Sequence, residues 1–149
     1  MEVSARAMYG LRAMVTLAGV RSREPMSIQA IAEEENLPSK FLEGIMGDLK
    51  RGGFVRSRRG ASGGYVLARP ASEITVLDVI RHLDGPIAPQ TYGAHAGDGE
   101  MTPRQAAFMP LWNEIRESTI RVLQSCTIQS IADSVQERPR DTFTPNYQI

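Results

Sequence analysis

Cysteine is almost absent from the 149-residue chain: there is one, Cys126. A single thiol excludes an intramolecular disulfide framework and any cysteine-only metal cluster built within one chain. No apolar run approaches the roughly 20 residues that would span a bilayer. The start, Met1-Glu2-Val3-Ser4, has neither the basic opening nor the apolar stretch of a signal peptide. A cytoplasmic location without a membrane partner is therefore expected. No nucleophile–base pairing, phosphate loop or metal-ligand motif is legible, which leaves an enzyme without support.

Net charge is also missing, and its distribution is more informative than its sum. Residues 1–70 carry 11 Lys/Arg against 7 Asp/Glu, and residues 71–149 carry 6 against 10. Between residues 49 and 69 stand Lys50, Arg51, Arg56, Arg58, Arg59 and Arg69 with no acidic residue among them. A basic stretch on an acidic remainder suits a nucleic-acid face, and composition alone allows a solvated surface equally well. The 42% hydrophobic and 23% charged content is ordinary for a domain able to bury a core.

Capping residues and apolar spacing organise the chain. Ser4 caps a first helix with Met8, Leu11, Met14/Val15 and Ala18 as its apolar positions. Ser27 caps a short second helix over residues 28–35, with Ile31 and Ala32 inward, and Asn36 suits a tight turn. A third helix follows, with either Pro38 as its first residue or Ser39 as its cap, and the sequence does not decide between them. Its buried stripe is expected at Phe41/Leu42, Ile45 and Leu49, and Gly52-Gly53 ends it. Two short strands, residues 54–58 and 65–68, flank the glycine-rich tip of a hairpin. Thr75 and Asp78 form a capping box for a helix bearing Val76, Val79/Ile80 and Leu83. Asp84-Gly85-Pro86 stops that helix. Residues 86–101, with Pro89, Gly93, Gly97 and Gly99, read as a long loop, of a kind that is commonly functional. Thr102-Pro103 marks a helix start. From Pro110, Leu111/Trp112, Ile115, Ile120 and Val122/Leu123 give a long amphipathic helix. Thr127 caps a last one with Ile128, Ile131, Ala132 and Val135 inward, and residues 138–149 read as a flexible tail.

Helix, helix, turn, helix, hairpin is the order of a winged helix-turn-helix. The fold class expected is mainly α with a small β-hairpin wing, extended by a long C-terminal helix. The face of the third helix opposite its apolar stripe holds Lys40, Glu43, Gly44, Gly47 and Lys50/Arg51, and such a helix reads the major groove from its N-terminal half. Gly44 and Gly47 each cost about 1 kcal/mol in a helix interior. They are either weak positions tolerated by the fold, sites of close packing against a neighbouring helix, or points of close approach to DNA. Arg56, Arg58 and Arg59 flank a flexible tip whose glycines allow close approach, a pattern suited to phosphates or a minor groove. Glu43, taken on physics alone, is a solvent-facing carboxylate that phosphates repel.

The stretches Val3-Ser4-Ala5-Arg6-Ala7-Met8-Tyr9-Gly10-Leu11, Leu37-Pro38-Ser39-Lys40-Phe41-Leu42-Glu43 and Ser57-Arg58-Arg59-Gly60-Ala61-Ser62-Gly63-Gly64-Tyr65 resemble the Rrf2 family of bacterial regulators. The resemblance continues through Ile74-Thr75-Val76-Leu77-Asp78 and Leu111-Trp112. It implies a winged-helix DNA-binding domain (residues 1–85), a sensor-type loop (86–101) and dimerisation helices (102–137). It also implies a homodimer on palindromic, double-stranded operator DNA, most simply as a repressor. By position it makes Glu43 and Arg59 base readers and sets Tyr9, Ser39 and Lys40 near the DNA backbone. Arg51, Arg56 and Arg58 join Lys40 as phosphate contacts, with Gly63 and Gly64 at the wing.

One departure stands out. Cluster-binding members of the family carry three cysteines in the loop after the fourth helix, and residues 86–109 here contain none. No cofactor is expected, and a small-molecule effector or a protein partner is expected to be sensed in place of the cluster. His95 with Asp98 and Glu100 reads as solvated loop, and His82 as surface or packing. Trp112 and Phe108 read as dimer-helix core. Two alternatives remain: a winged helix that binds proteins only, and a redox response through Cys126.

Overall fold

The computed structural model describes residues 3–20, 24–87 and 101–137; most of the expected loop, with His95, Asp98 and Glu100, and the expected tail lie outside them. The order is α1 (Ala5–Gly19), α2 (Ile28–Glu35), α3 (Ser39–Arg51), β1 (Val55–Arg58), β2 (Gly64–Leu67), a 3-10 turn (Ala71–Glu73), α4 (Val76–Asp84), α5 (Pro103–Ser125) and α6 (Ile128–Glu137). This is the mainly helical winged helix-turn-helix, with one antiparallel hairpin.

Local hydrogen bonds start the helices where the sequence indicates. Ser4 accepts from Ala7 N at 3.0 Å and Ser27 from Ala30 N at 3.1 Å. Thr75 and Asp78 exchange both bonds of a capping box, and so do Thr102 and Gln105. Asn36 takes the left-handed conformation, φ 51°, and turns the chain from α2 towards α3. Pro38 is the cap of α3 and Ser39 its first helical residue, so neither expected start is the one observed: the proline carbonyl rather than a serine hydroxyl opens the helix.

The core lies among α1, α3, α4 and the first turn of α6. Leu42, Ile45, Met46 and Leu49 of α3 are buried, an i, i+3, i+4, i+7 stripe. Phe41 is not part of it: the ring is 51% exposed, because it stands one residue, about 100°, from Leu42 around the helix. Met8 is likewise exposed. The buried face of α1 is instead Ala7, Gly10, Leu11, Met14 and Leu17, where small residues let the helix lie close to its neighbours. A Cβ on Gly10 would come within 3.3 Å of Ile45 Cγ2 and still closer to Leu83 Cδ1.

The wing register pairs Val55 with Leu67 and Arg58 with Gly64. A third short stretch joins it, since Tyr65 N donates to Met26 O (2.7 Å) and Met26 N to Tyr65 O (3.0 Å).

Pro103 to Ser125 forms one helix, and Pro110 lies inside it rather than at its start. The capping box at Thr102 fixes the beginning two turns earlier. Over 23 residues α5 runs about 34 Å. At its end the chain folds back: Val76 N donates to Cys126 O and Ile128 N to Ile74 O, each at 2.9 Å. These bonds set α6 on α1, with Ile128 and Ala132 buried. Val135 is 59% exposed rather than inward, because its stripe outruns the core that covers the first turn of α6.

Ile128 is fully buried at this return. Ile128→Ala is expected to lower stability by about 2–4 kcal/mol, read as a lower urea midpoint. An unchanged midpoint would mean that α6 does not dock on α1 in solution.

Candidate nucleic-acid interface

The helix-turn-helix and hairpin leave the expected residues of α3 and the wing open to solvent. Ser39, Lys40 and Glu43 are exposed on the first half of α3, and Arg56, Arg58 and Arg59 are exposed on β1 and the start of the tip. No side chain caps α3, so its N-terminus keeps backbone donors and the positive end of its dipole for an outside partner. Lys50 Nζ donates to Ser57 Oγ at 2.7 Å, fastening the helix to the first wing strand.

Tyr9 reaches α3 from α1. Its ring lies 5.8 Å from that of Phe41, edge to face at 86°. The Arg12 guanidinium stands 5.9 Å from the Tyr9 centroid and is held by Glu35 Oε2 at 2.7 Å. The exposed Phe41 ring is thus braced beside Lys40, and sequence reading missed it as a surface group. Strict i, i+3, i+4, i+7 counting from Leu42 would have found it, since that pattern selects Met46 and leaves Phe41 out.

Arg51 is a less free cation than its sequence position suggests. Its side chain is 74% exposed, but it is ion-paired with Asp48, which also pairs with Arg6 of α1. Lys40, Arg56, Arg58 and Arg59 stand exposed and form no ion pair among the described residues.

The glycines divide into two kinds. A Cβ on Gly64 would collide with the Met26 carbonyl, and one on Gly63 would sit 2.6 Å from Arg58 O. These two glycines therefore shape the hairpin and its third stretch, whatever they do at DNA. Gly44 is the opposite case: a Cβ there meets nothing within 4 Å, and at Gly47 it meets only Arg51 Nη1, at 3.7 Å. Close packing against a neighbouring helix thus drops out as a reason for them, and the recognition face is bare at both positions.

Cys126 is half-buried where α5 gives way to α6, with Sγ 3.8 Å from Ser130 Oγ. His82 projects from α4 onto the end of α3, a packing place consistent with its reading as surface or packing. Among the described residues no group of three His, Cys, Asp or Glu is placed to hold a metal.

Comparison with known proteins agrees with this geometry. Residues 3–134 match the family model Rrf2, described as an iron-dependent transcriptional regulator. The chain is 36% identical over 132 residues to the HTH-type transcriptional regulator CymR of Bacillus subtilis, spanning 89% of this chain and 90% of CymR. The solved structure of that protein, described as the global cysteine regulator of B. subtilis, superposes with a TM-score of 0.76 over 90% of this chain and 98% of its own. The IscR structure from T. potens superposes with a TM-score of 0.73 at 29% identity, covering 95% of this chain and 94% of its own. The residues here do not fit an iron–sulfur cluster: such ligation rests on several thiolates, and the one thiol lies beyond α5 rather than after α4.

Gly44→Ala is expected to raise stability by about 1 kcal/mol, because the methyl group enters open space and the helix gains propensity. Gly64→Ala is expected to lower it, through the collision at Met26. Thermal unfolding of the two variants checks both signs; a destabilised Gly44→Ala would show that this face is already covered.

Proposed function

The chain belongs to the Rrf2 family of DNA-binding transcriptional regulators, and from that premise we propose that it works as a homodimeric, cluster-free repressor on a palindromic operator, released by a small-molecule effector. The observation that carries the assembly is the long helix. None of the 23 residues of α5 is buried within one chain. Phe108, Ile115 and Val122 recur every seven residues along it, with Leu111 between, and all four are exposed, Val122 by 67%. A seven-residue apolar repeat on one long helix is the seam of a helix pair. A second copy of the same helix supplies the matching surface by two-fold symmetry. A two-fold protein reads two half-sites in opposite orientation.

At each half-site α3 enters the major groove. Glu43, beside the bare Gly44, accepts from a cytosine amino group, and this contact offsets its repulsion from phosphates. Arg59 at the hairpin tip reaches a base edge, while Lys40, Arg56, Arg58 and Arg51 neutralise phosphates and Ser39 and Tyr9 pack near the backbone. The cluster-free reading rests on the donor set: one thiol per chain, outside the segment after α4. An effector that bound at the dimer helices would change the distance between the two wings and so operator affinity.

Two variants separate the roles in a binding assay against a duplex that the parent protein selects from a random pool. Arg58→Ala is expected to weaken binding to all sequences and to reduce the slope of log affinity against log salt by about one. Glu43→Ala is expected to keep the slope and lose about 1–3 kcal/mol of discrimination at one base pair in each half-site. Parent-like behaviour of both would remove this assignment and favour a winged helix that binds proteins only. For the assembly, Ile115→Asp is expected to halve the mass in sedimentation and to weaken operator binding; a parent-like mass would place the seam elsewhere. A Cys126→Ser variant that lost a response to oxidant would instead support redox control.

A further inference from the structure

The last turn of α4 is held from two sides. On one, Ser4 N donates to Asp84 Oδ2 at 2.9 Å and its hydroxyl donates to the other oxygen of that carboxylate. Arg6 reaches the Leu83 carbonyl at 3.5 Å. On the other side His82 leans onto α3. A carbonyl oxygen only accepts, so Nε2 carries the proton and donates to Asp48 O at 2.8 Å. The same carbonyl accepts Gly52 N at 2.9 Å, so His82 grips the hydrogen bond that ends the recognition helix.

The His82 ring also faces Phe54, with centroids 5.2 Å apart and planes inclined by 50°. Phe54 is the joint between α3 and the wing. Its N–H donates to Leu49 O and its carbonyl accepts from Ala68 N, both at 2.9 Å. Arg69 covers the Phe54 ring at 5.1 Å from its centroid. Gly52 leaves room for this arrangement, since a Cβ there would lie 2.6 Å from both Cε1 and Nε2 of His82. The histidine itself is exposed, so burial does not dictate its place. A hydrogen bond, a ring contact and a missing side chain converge on it instead.

We infer that His82 is a positioning residue for DNA binding: it sets the angle between recognition helix and wing, and it passes movements of α4 to both. α4 packs against α5 as well, so this one ring stands between the helix that pairs subunits and the face that meets DNA. The inference rests on the reading of α3 and the hairpin as that face. It needs no contact between His82 and the duplex.

The test compares full-length parent, His82→Ala, His82→Gln and His82→Phe in two measurements. One is affinity, across a range of salt, for the duplex that the parent selects from a random pool. The other is amide hydrogen exchange at Phe54 and Ala68 without DNA. His82→Ala is expected to lose roughly tenfold in affinity, within the range of couplings carried through packed networks. Its salt slope stays unchanged because no phosphate contact is removed, and exchange at both amides becomes faster. His82→Gln keeps an N–H donor and recovers most of the affinity. His82→Phe keeps the ring without the donor and does not.

Parent-like affinity and exchange in His82→Ala would overturn the inference. So would an affinity loss with a shallower salt slope, which would make His82 a phosphate contact. Faster exchange in His82→Ala alongside a parent that selects no duplex would overturn the DNA reading, and with it the role in DNA binding, and leave only the link between His82 and the joint of α3 and wing.

Discussion

At Gly10 the first helix lies against Leu83 of α4 and Ile45 of α3 with no side chain of its own in between. The rest of the arrangement depends on that close approach. It brings α1 near enough for Arg6 to reach both Asp48 and the Leu83 carbonyl, and for Ser4 to hold Asp84. The same helix carries Tyr9 to Phe41 at one side and receives α6 at another. A methyl group at residue 10 would push α1 off two helices at once. The recognition helix takes its orientation from that packing, and the wing takes its own from the recognition helix through Lys50 and Phe54.

What the sequence makes legible is what chemistry decides within about four residues. The caps at Ser4, Ser27 and Thr75 and the left-handed Asn36 bond to their own neighbourhood, so their spacing carries the information. The basic stretch and the glycine-rich hairpin mark the candidate DNA side for the same reason. Phe41, Met8 and Val135 show where such reading fails. Each is apolar and helical, and whether it is covered depends on where a neighbouring element ends. His82 meets its reading as surface or packing, but its particular partner, a backbone carbonyl 34 residues away, leaves no trace in composition. Pro110 misleads in another way, since a proline that opens many helices here lies within one begun by Thr102.

The two groups of glycine illustrate how one residue type serves opposite ends. At Gly52 and Gly64 the space is already occupied, by the His82 ring and the Met26 backbone, and glycine is a packing requirement. At Gly44 the space is empty, and glycine costs helix stability without any return inside the chain. With close packing removed as a reason, two accounts of Gly44 stand: a weak position that the fold tolerates, and close approach of DNA to the proposed reading face.

The long helix has a consequence for dosage. If α5 pairs two copies as proposed, burying Phe108, Leu111, Ile115 and Val122, the folding free energy includes a term in protein concentration. Operator occupancy then rises with roughly the square of the protomer level while most copies are single. A few-fold change in synthesis would shift transcription more steeply than a monomeric repressor allows. The amount of protein in the cell would act as an input beside any effector.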